Sequence, residues 1–438
     1  MDIPYLAYAA LTGLLVLLLF PFFRIYARIT GRYRDHLNER LGAVPPHVLE
    51  RLAGSPRIWV HAVSLGEVKV AAAVIPAIRE KLPGCAVILS TTTPHGRDLA
   101  RKTFGNAVPV IYSPVDVVPI VRRALRSIRP HMLVFLETEI WPAWIREAHR
   151  MGISTAFVNG RISLQSFDTY RRFAWFFRKA LCLVELFSMI SEDDAARIRA
   201  MGADPARIQV SGNAKYDTLS TQTWPGAELD MRKRLGIPPE RSVILAGSTR
   251  DGEEGPLLDA YAEVLKRFPE TLLVLAPRHI KRAPHIRALV EARGLPCRLR
   301  TGPIPSGKGH DRSVIVLDTF GELFNAYSIA TVAFCGGSLA PLGGQNPLEP
   351  AVWGRPVLYG PHMDNFPDAK ALLEAAGGGR AVEGPAELAD AVIRLLAHPD
   401  ERERMGKQAR RAVLNHHGAS EKHAEAIAEV WMGKENIE

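Results

Sequence analysis

Residues 3–23, "IPYLAYAALTGLLVLLLFPFF", carry no charge. Beyond them the pattern changes. Short continuous apolar runs recur, each ending in small or polar residues: "IWVHAVS", "AVILSTTT", "VPVIYSP", "MLVFLE", "STAFVNG", "LFSMIS" and "IQVSGN". Between most of them lie helix-like stretches, over 67–82, 95–104, 116–128 and 142–151. Strands apolar on both faces, alternating with helices, predict a parallel sheet covered on each side.

The alternation stops around 218–240, where "TLSTQTWPGAELDMRKRLGIPPERS" reads as a linker with a short helix. It then restarts with "VILAGST", "TLLVLAP", "SVIVLDT", "TVAFCGG" and "PVLYGP". The expected organisation is a terminal segment, 1–23, and two α/β units, 24–218 and 219–438, the second carrying the C-terminal helices. Ligands of such sheets bind beyond the carboxyl ends of the strands. Two facing units predict a cleft.

The length of 438 residues suits two domains rather than one core. The formal net charge is +9, with basic residues spread along the chain. This favours anionic partners such as phosphates, nucleotides or an acidic lipid surface. No nucleic-acid-binding motif accompanies it, and none is expected to bind. Cys85, Cys182, Cys297 and Cys335 are far apart, which argues against a disulfide framework or zinc site and for a reducing compartment.

The uncharged segment is long enough to cross the roughly 30 Å hydrocarbon layer as a helix. It is expected to end at Pro21, and Arg24, Arg28, Arg32 and Arg34 follow. Asp2 before the run and arginines after it fit an uncleaved single-pass anchor with the rest of the chain in the cytoplasm.

Candidate chemistry collects at strand ends. Glu67 follows "HAVSLG" and opens a helix whose apolar face is Val68, Ala71, Ala72, Ile75 and Ile78. It is expected off that face, where it is either a favourable first-turn acid or a general base kept ionised by the helix end. Pro76 interrupts that helix. Glu137 and Glu139 in "FLETEIWP" stand two apart at a strand end and are expected to face the same way. Arg161 in "VNGRIS" and Lys215 in "SGNAKYD" each offer a cation at a Gly/Asn turn, suited to a phosphate or developing negative charge. In the second half, "LAPRH" ends a strand at Pro277 and Arg278. The backbone of Gly321, Glu322 and Leu323 in "DTFGEL" could bind an anion or a base edge.

The densest stretch is "FCGGSLAPLGGQNPLEPAVWGRPVLYGPHMDNF" (334–366). Paired glycines there let backbone approach a ligand closely. Asn346 and Glu349, flanking Pro347 and Leu348, are expected on one face of a short helix, with Glu349 placed to accept from ribose hydroxyls. "GPIPSGKG" (302–309) lacks the Ser or Thr of a phosphate-binding loop and reads as a plain loop. No D-x-D or H-x-x-x-H spacing occurs, so no metal is expected.

In order along the chain, the anchor, "SLGE", "ETEIWP", "NGRIS", "GNAKYD", "AGSTRDGEE", "APRH", "GEL" and "GGSLAPLGGQNPLEP…GP…NF" resemble the bacterial Kdo transferases, the 3-deoxy-D-manno-octulosonic acid transferases of lipopolysaccharide synthesis. The family more often has Val at Leu65, Ala at Gly160, and His at Arg250 and Gln345. The resemblance implies the GT-B fold, two Rossmann-like domains facing across a cleft. It implies an inner-membrane enzyme that moves Kdo from CMP-Kdo to a hydroxyl of a lipid A precursor, lipid IVA, with no metal and no cofactor. It implies Glu67 as proton acceptor, and Glu137 with Lys215 as transition-state stabilisers. It further implies a CMP site at Pro277, Arg278, Gly321 to Leu323 and Asn346 to Glu349. The aromatic and basic stretch "DTYRRFAWFFRKALCLVELF" (168–187) is the candidate for further membrane contact. A sugar-nucleotide epimerase, or a transferase with another donor, would share the two-unit pattern without needing the terminal segment.

Overall fold

The computed structural model describes residues 3–30, 36–137, 139–304 and 314–435. Most of the "GPIPSGKG" loop lies outside them. The chain forms two α/β units. One comprises residues 1–218 together with 418–438, the other 219–417.

The first unit holds β1 (Arg57–His61), β2 (Ala86–Thr91), β3 (Val110–Tyr112), β4 (Met132–Leu136), β5 (Ser154–Gly160), β6 (Leu186–Met189) and β7 (Ile208–Val210). All pair in parallel, in the order β3-β2-β1-β4-β5-β6-β7. β2, β4 and β5 are buried along their whole length, which explains their unbroken apolar sequence. The strand order reverses direction between β1 and β4.

The second unit holds β8 (Val243–Thr249), β9 (Leu272–Pro277), β10 (Cys297–Leu299), β11 (Val314–Val316), β12 (Val332–Cys335), β13 (Val357–Tyr359) and β14 (Gly379–Ala381). They are again parallel, in the order β10-β11-β9-β8-β12-β13-β14, and the reversal falls between β8 and β12. The edge strands β10 and β14 carry no long apolar run, and the sequence pattern does not reveal them.

The expected second domain, 219–438, loses its last helix to the first unit. Helix Ala419–Glu435 packs on helix Leu65–Lys81, placing Ala424, Ile427 and Ala428 in the core with Ala71, Val74 and Ile75. Asp217 accepts from the N–H groups of Gly418 and Ser420 at 2.9 and 2.6 Å, which satisfies orphan donors at that helix's start. His423 bonds Ser188 and the Gly212 carbonyl, at 2.7 and 3.0 Å, fixing the helix against the first sheet.

Among the described residues one helix is long and apolar enough to cross a membrane, over Ile3–Ile25. It does not stop at Pro21 but continues to Thr30. Its first turns are not free of the domain. Tyr5 is buried, and the Arg146 guanidinium lies 4.2 Å from its ring centre. The Tyr8 hydroxyl donates to Asp116 at 2.5 Å, and its ring packs 5.4 Å from that of Phe176.

Candidate active site

The first sheet reverses its order between β1 and β4, where the carboxyl ends of adjacent strands open a crevice. Glu67 follows β1 and Glu137 follows β4. Helix Leu65–Lys81 starts from Ser64 and runs through Pro76. Ser64, Glu67 and the helix start have capping-box spacing, but the bonds run differently. The Ser64 hydroxyl donates to the Glu67 carboxylate at 3.0 Å, and the Val63 N–H donates to its other oxygen at 2.5 Å.

Glu67 is only 5% exposed, not the off-face surface acid the spacing suggests. Burial pushes its carboxyl up to about 7, with Glu137 and Glu139 adding like-charge repulsion; the Val63 and Ser64 bonds pull the other way. The expectation that the helix end keeps it firmly ionised is therefore corrected: desolvation outweighs the helix start and the two hydrogen bonds. The outcome is a carboxylate that exchanges its proton near neutrality.

β4 ends at Leu136, and Glu137 itself turns left-handed with φ 57°. The two-residue alternation of a strand thus stops before Glu139. Glu137 and Glu139 are not placed by a shared strand face, although Glu67 feels both charges. Burial raises the Glu139 carboxyl. Glu137 instead meets Lys215, whose Nζ stands 2.5 Å from its Oε1. Lys215 opens helix Lys215–Gln222. Asn159, left-handed at φ 54° in β5, accepts from the Ala214 N–H at 2.8 Å. Asn213 accepts from the Lys215 N–H at 3.0 Å. Two asparagines thereby fix the backbone that carries the cation. Arg161 is half-buried and has no ion-pair or hydrogen-bond partner among the described residues.

His61, at the end of β1, is fully buried among Phe135, Trp141 and Trp144, and burial pushes it down to about 3. It is a neutral ring at working pH. Its apolar sequence context gives no signal of this.

In the second unit the candidates share the carboxyl edge of one sheet: Pro277 at the end of β9 and Arg278 just after it, Gly321, Glu322 and Leu323 after β11, and Asn346, Pro347, Leu348 and Glu349 after β12. Arg278 is exposed and unpaired among the described residues; only its backbone N–H is used, donating to the Thr249 carbonyl at 3.0 Å. Gly321 has φ 87°, a conformation that favours glycine. Glu322 pairs with Arg300 at 3.2 Å. Asn346 precedes helix Leu348–Val352 rather than lying on it, and its Oδ1 accepts from the Leu348 N–H at 3.1 Å. The expected shared face with Glu349 is corrected accordingly. Glu349 stands in the first turn and is felt electrostatically by Tyr327 and Cys335.

Among the paired glycines, Gly336 lets backbone approach backbone, since a Cβ there would lie 2.7 Å from the Thr249 Cα. A Cβ on Gly343 would lie 2.2 Å from the Asn365 amide nitrogen, and one on Gly344 would lie 2.4 Å from the Met363 sulfur. Sequence reasoning also missed the part of Glu253. This buried carboxylate accepts from the N–H groups of Arg250, Gly337, Ser338 and Leu339 at 2.6–2.9 Å. It ties the loop after β12 to the end of β8, and no spacing in the sequence announces a bond across 84 positions.

A family model described as 3-deoxy-D-manno-octulosonic-acid transferase matches residues 35–218, and a glycosyl transferase-like model matches 346–428. The 3-deoxy-D-manno-octulosonic acid transferase of Bordetella pertussis is 32% identical over 97% of this chain and 98% of its own. That of Haemophilus influenzae is 30% identical over 89% and 90%. The chain belongs to the Kdo transferase family. Its fold is also similar to UDP-GlcNAc 2-epimerase from Neisseria meningitidis, with a TM-score of 0.61 at 15% identity over 86% of this chain and all of that one. A glycosyltransferase from Rickettsia africae gives 0.57 at 13% identity over 85% and 97%. Such neighbours identify the GT-B architecture of two Rossmann-like units. As a Kdo transferase family member the chain is a glycosyltransferase of lipopolysaccharide biosynthesis. Where the family more often has Ala, Gly160 stands with the Met189 sulfur 2.5 Å from where a Cβ would be, so the two positions are sterically coupled.

Proposed function

We propose that the enzyme transfers Kdo from CMP-Kdo to a hydroxyl of a lipid A precursor, lipid IVA, without metal, at the cytoplasmic face of the bacterial inner membrane. The observation that carries the mechanism is the buried Glu67 beside Glu137, Glu139 and the Glu137–Lys215 pair. A sugar hydroxyl is a poor nucleophile until its proton leaves during attack. Glu67, poised near 7, takes that proton as the new glycosidic bond forms. The anomeric centre becomes oxocarbenium-like while the bond to the CMP phosphate breaks, and the phosphate leaves with its electrons. Lys215 opposes the negative charge that accumulates, and Glu137 faces the positive one. Arg278, exposed and unpaired among the described residues, is the cation for the nucleotide phosphate. The backbone at Gly321 to Leu323 and the segment Asn346 to Glu349 hold the rest of CMP, with Glu349 accepting from ribose hydroxyls. Membrane association through the N-terminal helix brings the enzyme to its lipid acceptor. Incubation with CMP-Kdo and tetra-acylated lipid A precursor, followed by mass spectrometry of the lipid, tests this. A Kdo-bearing lipid is expected. Unmodified lipid, or calorimetric binding of UDP in preference to CMP, overturns it.

A further inference from the structure

The second sheet reverses its order beside β8, so ligands are expected beyond the carboxyl end of that strand. This end is clamped from both sides. The Gly336 N–H, after β12, donates to the Gly247 carbonyl at 2.8 Å, and the Arg278 N–H, after β9, donates to the Thr249 carbonyl at 3.0 Å. Thr249 is fully buried, and its hydroxyl donates to Glu254 at 2.9 Å. Ser248 and Arg250, on either side of it, are half-buried.

The fold itself does not account for these two side chains. Ser248 holds a left-handed φ of 56°, a strained conformation that a glycine would relieve. Its hydroxyl has no hydrogen-bond partner among the described residues. The Arg250 guanidinium donates to the His279 Nε2 at 3.2 Å, which orients it, while its buried Nε has no acceptor among the described residues. An unmet buried donor is costly unless something bonds it.

The acids of this turn are already matched. Asp251 and Glu254 both pair with Arg282, at 2.8 and 2.7 Å. Glu253 accepts from the N–H groups of Arg250, Gly337, Ser338 and Leu339. Arg250 and Arg278, at the same strand edge, meet no carboxylate among the described residues. The donor carries two separate negative charges, the phosphodiester of the CMP linkage and the carboxylate of an octulosonic acid. Arg278 answers the first and leaves Arg250 for the second.

We propose that Arg250 and Ser248 form the subsite for the carboxylate of the donor sugar, beside Arg278, so that the enzyme tells a CMP-linked sugar acid from a neutral sugar. A guanidinium fork fits both oxygens of a carboxylate in one plane, and the serine hydroxyl adds a further donor. This rests on the CMP-Kdo reading above and adds to it which residues read the sugar.

Calorimetry on the full-length protein with CMP-Kdo and with the methyl ester of CMP tests it. The ester keeps the phosphodiester and lacks the carboxylate. The parent is expected to bind CMP-Kdo more tightly than the ester. Arg250→Gln should weaken CMP-Kdo by about tenfold to a hundredfold and the ester by less than about twofold, and Ser248→Ala should weaken CMP-Kdo alone by about fivefold. A merely structural role would not divide the two ligands in this way. Equal losses on both ligands would assign Arg250 to the phosphate and overturn the proposal. Unchanged affinity for CMP-Kdo in Arg250→Gln, or a parent that binds CMP-Kdo no better than the ester, also overturns it. A parent that binds neither ligand overturns the donor reading itself, and the subsite with it.

Discussion

Replacing Glu67 by Gln separates chemistry from stability, because the two respond in opposite directions. The carboxyl moves from an ordinary 4.5 to about 7 in the folded chain. Between these values the native state holds more protons than the unfolded one, so stability falls as pH rises through that window. The contribution is fully favourable below about 4.5 and has been lost above about 7. At about 1.4 kcal/mol per pH unit, the ionised carboxylate costs the fold about 3 kcal/mol at pH 8. Gln keeps the size and both bonds: its oxygen accepts from Val63, and its amide donates to the Ser64 hydroxyl, which can reverse. It removes the ionisation cost.

The Glu67→Gln variant is therefore expected to melt several degrees higher than the parent at pH 8 and to match it near pH 4.5. Its transfer rate is expected to fall by about 100- to 10,000-fold. In the parent, kcat/KM should rise about tenfold per unit below pH 7 and level off above it. Differential scanning calorimetry across pH and a radiolabelled Kdo transfer assay read the two effects. Turnover within tenfold of the parent refutes Glu67 as the base. An equal melting difference at every pH refutes the raised carboxyl.

Three further changes probe the remaining groups. Lys215→Met removes the partner 2.5 Å from Glu137 and should lower kcat by about 100-fold or more with little change in donor KM; a change confined to KM would assign it to binding instead. Arg278→Ala should weaken CMP binding in calorimetry by about tenfold or more, the worth of a charged hydrogen bond, while thermal stability holds because the side chain has no partner among the described residues to lose. Glu253→Gln replaces an acceptor of four N–H groups by one that also donates, so unfolding of the second unit should move down by about 3 kcal/mol or more; an unchanged melting profile would refute its tying role.

The parallel sheets were legible because β2, β4 and β5 are buried on both faces, which writes unbroken apolar runs into the sequence. The short edges β10 and β14 bury little and leave no such trace. Strand-end turns pointed to Glu67 and Lys215, because a residue's position relative to its own strand is local information. The state of Glu67 was not legible: it depends on burial and on the acidic neighbours Glu137 and Glu139, which follow another strand. The return of helix Ala419–Glu435 to the first unit was equally hidden, since chain order suggests the opposite partner and Asp217 and His423 are not marked by any motif.

The described residues place left-handed backbone at four non-glycine positions, Arg129, Glu137, Asn159 and Ser248. Arg129 closes a helix; the other three stand at the ends of β4, β5 and β8. Each costs roughly 1 kcal/mol, less for Asn, and glycine would avoid it. At Glu137 and Asn159 the side chain serves the ion pair. Glu137 is one partner, and Asn159 fixes Ala214 beside the other. Asn159→Gly should relieve the strain and lose one hydrogen bond, terms of roughly equal size, so the melting temperature should hardly move. Lys215 would lose its anchored backbone, and kcat should fall by about tenfold while the affinity for CMP, whose proposed site lies in the other unit, stays constant. A melting loss of several degrees would make Asn159 a structural residue only. Unchanged kcat would show that Lys215 finds its place without it.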